Sequence, residues 1–176
     1  LSDENENLLN QLLMRNRQVY TDSLTKVFNR RYCDERLRRL SGEYALAMID
    51  IDNLKQINDC LGHPAGDTAI YHTAQAIRAI LRSQDELVRY GGDEFLLLFH
   101  SLPQNILRRK LEDICRAVRA LRVADLPELR ITVSIGGVYA AGQISELVEK
   151  ADLALYRAKA QKDSAVLYEE DFHDSE

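Results

Sequence analysis

Two adjacent carboxylates, Asp93 and Glu94, follow a Gly91-Gly92 step and open a run, residues 95–99, that is wholly apolar. The residues before the glycines, 86–90, are also strand-like, so the stretch reads as a hairpin with a tight primed turn, where positive φ favours glycine. A strand apolar on both faces belongs in the middle of a sheet. Asp93 and Glu94 therefore stand on a rigid support, beside a backbone made narrow enough for a ligand to approach. From this stretch alone two readings are open: a divalent-metal or acid/base site, or a polar hairpin tip. A second acidic group, Asp50-Ile51-Asp52, lies at the carboxyl end of another apolar run, residues 44–49.

The elements that must position these groups follow from periodicity. Residues 1–20 form a polar helix with Leu9, Leu12, Asn16 and Val19 at coiled-coil spacing. Cap candidates in residues 21–25 start a second helix, expected to run to about Leu40 and to stop at Ser41-Gly42. A strand over 44–49 leads into a short helix carrying Leu54, Ile57 and Leu61 and closed by Gly62. The next helix, with Asp67 as its expected cap, carries Ile70, Ala74, Ile77 and Leu81. Beyond the hairpin come a helix with Leu107, Leu111, Ile114, Val118 and Leu121, a strand over 129–138 ending at Gly136-Gly137, and a helix from Ile144 to Ala158. A short strand over 165–168 and an acidic tail finish the chain. Strand, helix, hairpin, helix, strand, helix is the order of an α/β sandwich of the βαββαβ type, a mainly antiparallel central sheet flanked by helices. That topology brings Asp50 beside Asp93 and Glu94. Three clustered carboxylates repel one another unless a divalent cation sits among them.

Composition bounds the alternatives. A length of 176 residues with 45% hydrophobic and 29% charged residues fits an ordinary globular domain. The net charge of −5 argues against a general nucleic-acid binder. Cys33, Cys60 and Cys115 have neither framework nor metal-ligand spacing and suggest a reducing compartment, so a cytoplasmic location is expected. No apolar run approaches membrane-spanning length. The first residue is Leu1, and the expectation is a fragment of a longer chain, either cytoplasmic or the cytoplasmic part of a membrane-anchored protein, with a dimerising helix (1–20) leading into one domain (21–176).

Five separate stretches, taken together, resemble the GGDEF family of diguanylate cyclases. They are Asp22-Ser-Leu-Thr25 with Asn29-Arg30-Arg31; the stretch from Asp50 to Asp67; Arg89-Tyr-Gly-Gly-Asp-Glu-Phe95; Val133-Ser-Ile-Gly136; and Ala151-Asp152 through Lys159. The resemblance covers most of residues 21–168. It implies condensation of two GTP into cyclic di-GMP with release of two pyrophosphates, by a homodimer joined through the N-terminal helix or an upstream domain. Asp50, the Ile51 carbonyl, Asp93 and Glu94 are then expected to hold Mg²⁺ or Mn²⁺, with Asp93 also taking the proton of the attacking 3′-hydroxyl. Asn53 and Leu54 are expected to cradle phosphates, and Lys55 and Lys159 to neutralise them. Asn58 and Asp67 are expected to read guanine, His63 is counted among the substrate-binding residues, and Gly91 and Gly92 leave room for the nucleotide. Arg82 and Asp85 match the family's inhibitory product site.

Each residue also has a plainer reading. Asp67 can cap a helix, Asn58 and His63 can satisfy backbone groups, Lys55 can be a solvated charge, and Arg82 and Asp85 can be a helix salt bridge. One departure matters: where the family usually carries Lys-x-x-Gly-Arg-Asn, this chain has Lys159-Ala-Gln-Lys162-Asp163-Ser164. Asp163 puts an anion in place of a phosphate-binding Arg, with Lys162 as the nearest replacement charge. The alternative is thus a catalytically weak domain that receives cyclic di-GMP or GTP.

Overall fold

The computed structural model describes residues 2–169. The acidic tail from residue 170 and the side chain of Asn16 lie outside the described residues. Helix α1 (Ser2–Tyr20) is followed by α2 (Arg30–Glu35), a 3₁₀ turn over Leu37–Arg39 and strand β1 (Ser41–Ile51). Then come α3 (Leu54–Leu61), α4 (His63–Ile80), β2 (Glu86–Arg89), β3 (Glu94–Phe99) and α5 (Gln104–Arg119). Strand β4 (Val133–Gln143), α6 (Ile144–Gln161) and β5 (Ser164–Leu167) complete the order. The five strands form one sheet in the order β2-β3-β1-β4-β5, antiparallel except for the β4–β5 pair. This is the expected α/β sandwich with helices on both faces.

Alternation along β1 assigns its two faces. Ala45, Ala47, Ile49 and Ile51 join Phe95, Leu97 and Phe99 in a core closed by α4 and α5, through Ile70, Ile77, Leu107, Leu111 and Ile114. Leu46 and Met48 join Leu96 and Leu98 in a second core under Cys33, Leu37 and α6, through Leu147, Ala151 and Leu155. The even positions of β1 therefore face α6, and the next even position is Asp50.

The structure corrects several expected boundaries. The second helix is not capped within residues 21–25. Its cap is Asn29, whose side chain accepts from the Tyr32 backbone N–H, and the α-helix stops at Glu35. Asp22 instead closes a turn, accepting from the backbone N–H (3.0 Å) and hydroxyl (2.6 Å) of Thr25. Ser41 and Gly42 do not end that helix but begin β1. Asp67 is not a cap: α4 begins at His63, with Pro64 in the first turn, so Asp67 lies inside the helix. The strand expected over 129–138 begins later and runs on through Gly136-Gly137 to Gln143.

The reason for that last difference is packing. A Cβ on Gly136 would lie 2.2 Å from both the Ala151 carbonyl oxygen and the Leu155 nitrogen, and one on Gly137 would lie 2.5 Å from Leu111 Cδ1. The pair does not end the strand; it lets α6 seat its backbone directly on β4, while Leu111 of α5 packs on the opposite face. We expect Gly136→Ala to cost roughly 3 kcal/mol or more, because the obstructing atoms are backbone and cannot rotate away. Equilibrium denaturation of the variant checks this, and a loss under about 1 kcal/mol would show that the helix has clearance.

Candidate metal and nucleotide site

The acidic cluster is created by strand register. Asp50 pairs across β1 and β3 with Glu94, and across β1 and β4 with Ser134. Like charges directly opposite on antiparallel strands are destabilising by themselves. Asp93 joins them: its carbonyl accepts from the Ile51 N–H at 3.0 Å, which carries the β1–β3 pairing one step past Glu94. One carboxylate oxygen from each of Asp50, Asp93 and Glu94 lies within 4.8 Å of the others.

The turn between the strands is not the primed two-residue turn expected. The N–H groups of Tyr90 (2.8 Å) and Gly91 (3.2 Å) both donate to the Glu94 carbonyl, and neither Gly91 nor Gly92 has positive φ. Positive φ is therefore not what these glycines supply. A Cβ on Gly91 would meet Glu94 Oε2 at 3.3 Å, and one on Gly92 would meet nothing within 4 Å. Arg89 braces the tip, donating to the Gly92 carbonyl at 2.9 Å and pairing with Asp22 at 3.3 Å. The opening motif and the hairpin motif are thus one structural unit, which spacing alone did not reveal.

Electrostatics mark the cluster as a cation site. Burial, together with the charge of Asp93, pushes Asp50 up to about 6, although Lys159 pairs with it and pulls the other way. Its Oδ1 is buried with no hydrogen-bond partner. Burial opposes the charge of Lys159, but Asp50, Glu94 and Asp93 outweigh it and hold the ammonium above its usual value. The two partners of this ion pair are therefore both shifted upward. Desolvation and carboxylate repulsion dominate at Asp50, and attraction dominates at the half-exposed lysine. Hard oxygen donors, an orphaned carboxylate oxygen and excess negative charge fit a divalent cation such as Mg²⁺.

Beyond the cluster, Asn53 opens α3 in the left-handed conformation, with φ of 58° and no side-chain cap bond. Its Oδ1 instead accepts from Lys162 Nζ at 2.5 Å. Leu54 is half-buried and Lys55 exposed in the first turn of α3, so of the two expected lysines it is Lys159 that pairs within the acidic cluster. Asn58, half-buried on α3, lies against the start of α4: a Cβ on Gly66 would collide with its Oδ1 at 1.8 Å. The structure thus places Asn58 one residue from Asp67, with both Asp67 and His63 exposed.

Two residues overlooked at the sequence level hold the site's far wall. Asp52, only 7% exposed, accepts from Thr132 Oγ1 (2.7 Å), Ser134 Oγ (2.6 Å) and the Asp163 N–H (2.9 Å). Arg119 on α5 donates to both carboxylate oxygens of Asp163, at 2.6 and 3.1 Å. Asp163 is therefore not a bare anion. The signal was present as an exchanged charge at Asp163, but its partner 44 residues earlier was not legible.

Arg82 and Asp85 are not on a helix. They follow α4 in a turn where the Arg82 guanidinium reaches Asp85 Oδ1 at 2.9 Å and the His100 carbonyl at 2.8 Å. The Arg82 backbone N–H also donates to the Asp85 carboxylate at 2.9 Å, and that side chain is fully buried.

A pH prediction follows from Asp50. Its ordinary value of 3.8 is raised to about 6 by folding, so between these values the folded state binds more protons than the unfolded state. Stability must then fall as pH rises through that window. We expect the unfolding temperature of metal-free protein, relative to Asp50→Asn, to decline from pH 4 to pH 6. Saturating Mg²⁺ should abolish the decline, because a bound cation favours the ionised carboxylate. Thermal unfolding across pH checks this; a difference that stays flat would mean that Asp50 titrates normally.

The comparisons with known proteins agree with this geometry. The sequence model of the family described as "Diguanylate cyclase, GGDEF domain" matches residues 19–165. Diguanylate cyclase TpbB of Pseudomonas aeruginosa is 35% identical over 173 residues, covering 92% of this chain and 38% of that protein. A probable diguanylate cyclase of Escherichia coli, DgcC, is 34% identical over 148 residues, covering 78% of this chain and 40% of its own length. The chain thus spans about two fifths of these relatives. Among solved structures, the coiled coil and GGDEF domain of DgcB from Caulobacter crescentus in complex with c-di-GMP superposes with a TM-score of 0.85 at 29% identity, covering 94% of both chains. Diguanylate cyclase SiaD of Pseudomonas aeruginosa, solved with its activator SiaC, gives 0.82 at 35% identity, covering 94% of this chain and 68% of that one. With a family match across most of its length and an acidic cluster built from the family's own motif, the chain belongs to the GGDEF-domain diguanylate cyclases.

Proposed function

We propose that this domain condenses two GTP molecules into cyclic di-GMP and two pyrophosphates. The observation that carries the reading is the convergence of Asp50, Asp93 and Glu94 within 4.8 Å, set by cross-strand register. These three carboxylates, with the Ile51 carbonyl, would hold Mg²⁺ or Mn²⁺, which when bound withdraws charge from the phosphates and acidifies the ribose 3′-hydroxyl. Asp93 takes the proton of the 3′-hydroxyl as its oxygen bonds to the α-phosphorus of the facing GTP. The α–β phosphoanhydride bond breaks and pyrophosphate leaves. A second, reciprocal attack closes the ring.

The remaining residues bind and orient. Backbone N–H groups of Asn53 and Leu54 open α3 toward phosphate oxygens, as helix N-termini favour anions. Lys55 and Lys159 offset phosphate charge that builds in the transition state. Asn58 and Asp67 read guanine, since a carboxylate accepts from both N1–H and the 2-amino group, and adenine cannot donate that pair; His63 lines the same end. Gly91 and Gly92 leave the space that a nucleotide occupies. The alternative reading, a weak receptor domain, leans on Asp163 in place of a phosphate-binding Arg; pairing with Arg119 offsets the negative charge there and weakens that argument.

The reaction needs two loaded protomers face to face. Residues 1–20 act as the linker of the domain over 21–176 in this reading. Leu8, Leu9, Leu12 and Leu13 of α1 are all more than half exposed, as a helix that pairs with a second copy requires. Cyclic di-GMP would inhibit at Arg82 and Asp85, the guanidinium exchanging its contacts for the product's guanine or phosphate.

Purified protein given GTP and Mg²⁺, with products separated by chromatography, tests the activity. Asp93→Ala should lower turnover by at least about 10³-fold while leaving the unfolding temperature unchanged or higher. Retained turnover in that variant would remove the assignment.

For the product site, Arg82→Ala should weaken cyclic di-GMP binding at least about tenfold by calorimetry. The turn itself keeps the backbone bond from residue 82 to Asp85. Equal affinity in the variant would reduce the pair to a structural turn.

A further inference from the structure

We infer that Lys162 is the residue through which this chain tells a nucleoside triphosphate from a monophosphate, by gripping the terminal phosphates at the entrance to α3. The inference rests on the nucleotide reading above and adds a residue that the family pattern does not supply. Lys162 stands where the family motif usually carries glycine, directly before the exchanged position Asp163.

Its backbone explains why glycine is the usual choice. Lys162 caps α6, its N–H donating to the Ala158 carbonyl at 2.8 Å, with φ of 61° and ψ of 165°. That region is essentially reserved for glycine, and a side chain persists there only where its surroundings hold it. What the side chain reaches is the other end of the site. Its ammonium donates to Asn53 Oδ1 at 2.5 Å, and Asn53 is itself left-handed at the first position of the α3 entrance. Among the described residues, no carboxylate pairs with this ammonium.

The charges on either side sharpen the point. A cation beside a helix N-terminus meets the positive end of the helix dipole, an unfavourable pairing when nothing negative intervenes. The neighbouring Asp163 does not intervene, because Arg119 holds both its oxygens and Asp52 holds its backbone N–H. Lys162 and the N–H groups of α3 therefore face the same region with the same sign, and a polyanion matches both at once. The same site contains Asp50, with a side chain 9% exposed and an Oδ1 without a protein partner. On this inference the β- and γ-phosphates of a bound nucleotide lie at the α3 entrance, within reach of the ammonium that now meets Asn53 Oδ1. GMP has neither, and so gains nothing from this lysine.

Lys162→Gly tests the inference without risking the fold, because it restores the residue that the backbone conformation prefers. Calorimetry on the full chain with Mg²⁺ compares a non-hydrolysable GTP analogue with GMP, beside thermal unfolding. The expected result is an analogue affinity about tenfold weaker, a GMP affinity within about twofold, and an unchanged or higher unfolding temperature. Lys162→Arg should keep the preference for the analogue. An unchanged ratio of analogue to GMP affinity in Lys162→Gly overturns the inference, as does an equal loss of both with a lower unfolding temperature, which would make Lys162 a structural cap. If the unsubstituted chain binds neither nucleotide, the nucleotide reading itself falls, before any substitution is compared.

Discussion

The structure turns on an arrangement that is unfavourable in isolation: Asp50 and Glu94 face each other across adjacent antiparallel strands, with Asp93 at the turn beside them. Two cross-strand anions repel, and burial, with the charge of Asp93 added to it, raises the affinity of Asp50 for a proton. The fold holds them there because the register is fixed elsewhere. Every residue of β1 from Ala45 to Met48 is buried between helices on both faces, and a one-residue slip would exchange the two cores. Hydrophobic burial thus enforces a charge distribution that a bound cation, or a proton on Asp50, relieves. Lys159 supplies one positive charge from α6, which does not balance three carboxylates.

The same logic extends along the site. The wall beyond the cluster is built from interactions between distant segments: Asp52 with Thr132, Ser134 and Asp163, Asp163 with Arg119, Lys162 with Asn53. Each links the end of one element to the end of another, and none is local. Together they tie the β1–α3 and α6–β5 connections into one frame. Arg89 does the same on the opposite side, tying Asp22 to the hairpin tip. The acidic cluster thus sits between two braces, each anchored by a buried or half-buried ion pair or hydrogen-bonded carboxylate.

Much of this was legible in the sequence, for identifiable reasons. Continuous apolar runs at residues 44–49 and 95–99 and helical spacing in α4, α5 and α6 gave the order of elements, because a buried strand and an amphipathic helix each leave a local signal. The proximity of Asp50 to Asp93 and Glu94 followed from topology once that order was known. What failed was of two kinds. Caps were misplaced where several candidates crowd together: Asp22 closes a turn and Asn29 caps, and Asp67 lies beyond a start set by Pro64. Glycines were read as forming a primed turn at 91–92, where neither has positive φ, and as a strand end at 136–137, where Gly136 instead gives α6 clearance to seat on β4. Clearance depends on what lies opposite, which spacing along one chain does not contain. The Asp163–Arg119 pair was missed for the same reason.

The contact at Gly136 reaches further than the stability of one strand. With the backbone of α6 resting on β4 without room for even a methyl group, the helix has a single seating depth and a single rotation. Lys159 and Lys162 both depend on that seating, one in the last turn of α6 and the other at its cap. The distance between the cationic and acidic halves of the site is therefore a dimension of the scaffold, fixed before any ligand arrives. Ligand binding need not order α6, and whatever freedom the site retains belongs to the side chains at its rim.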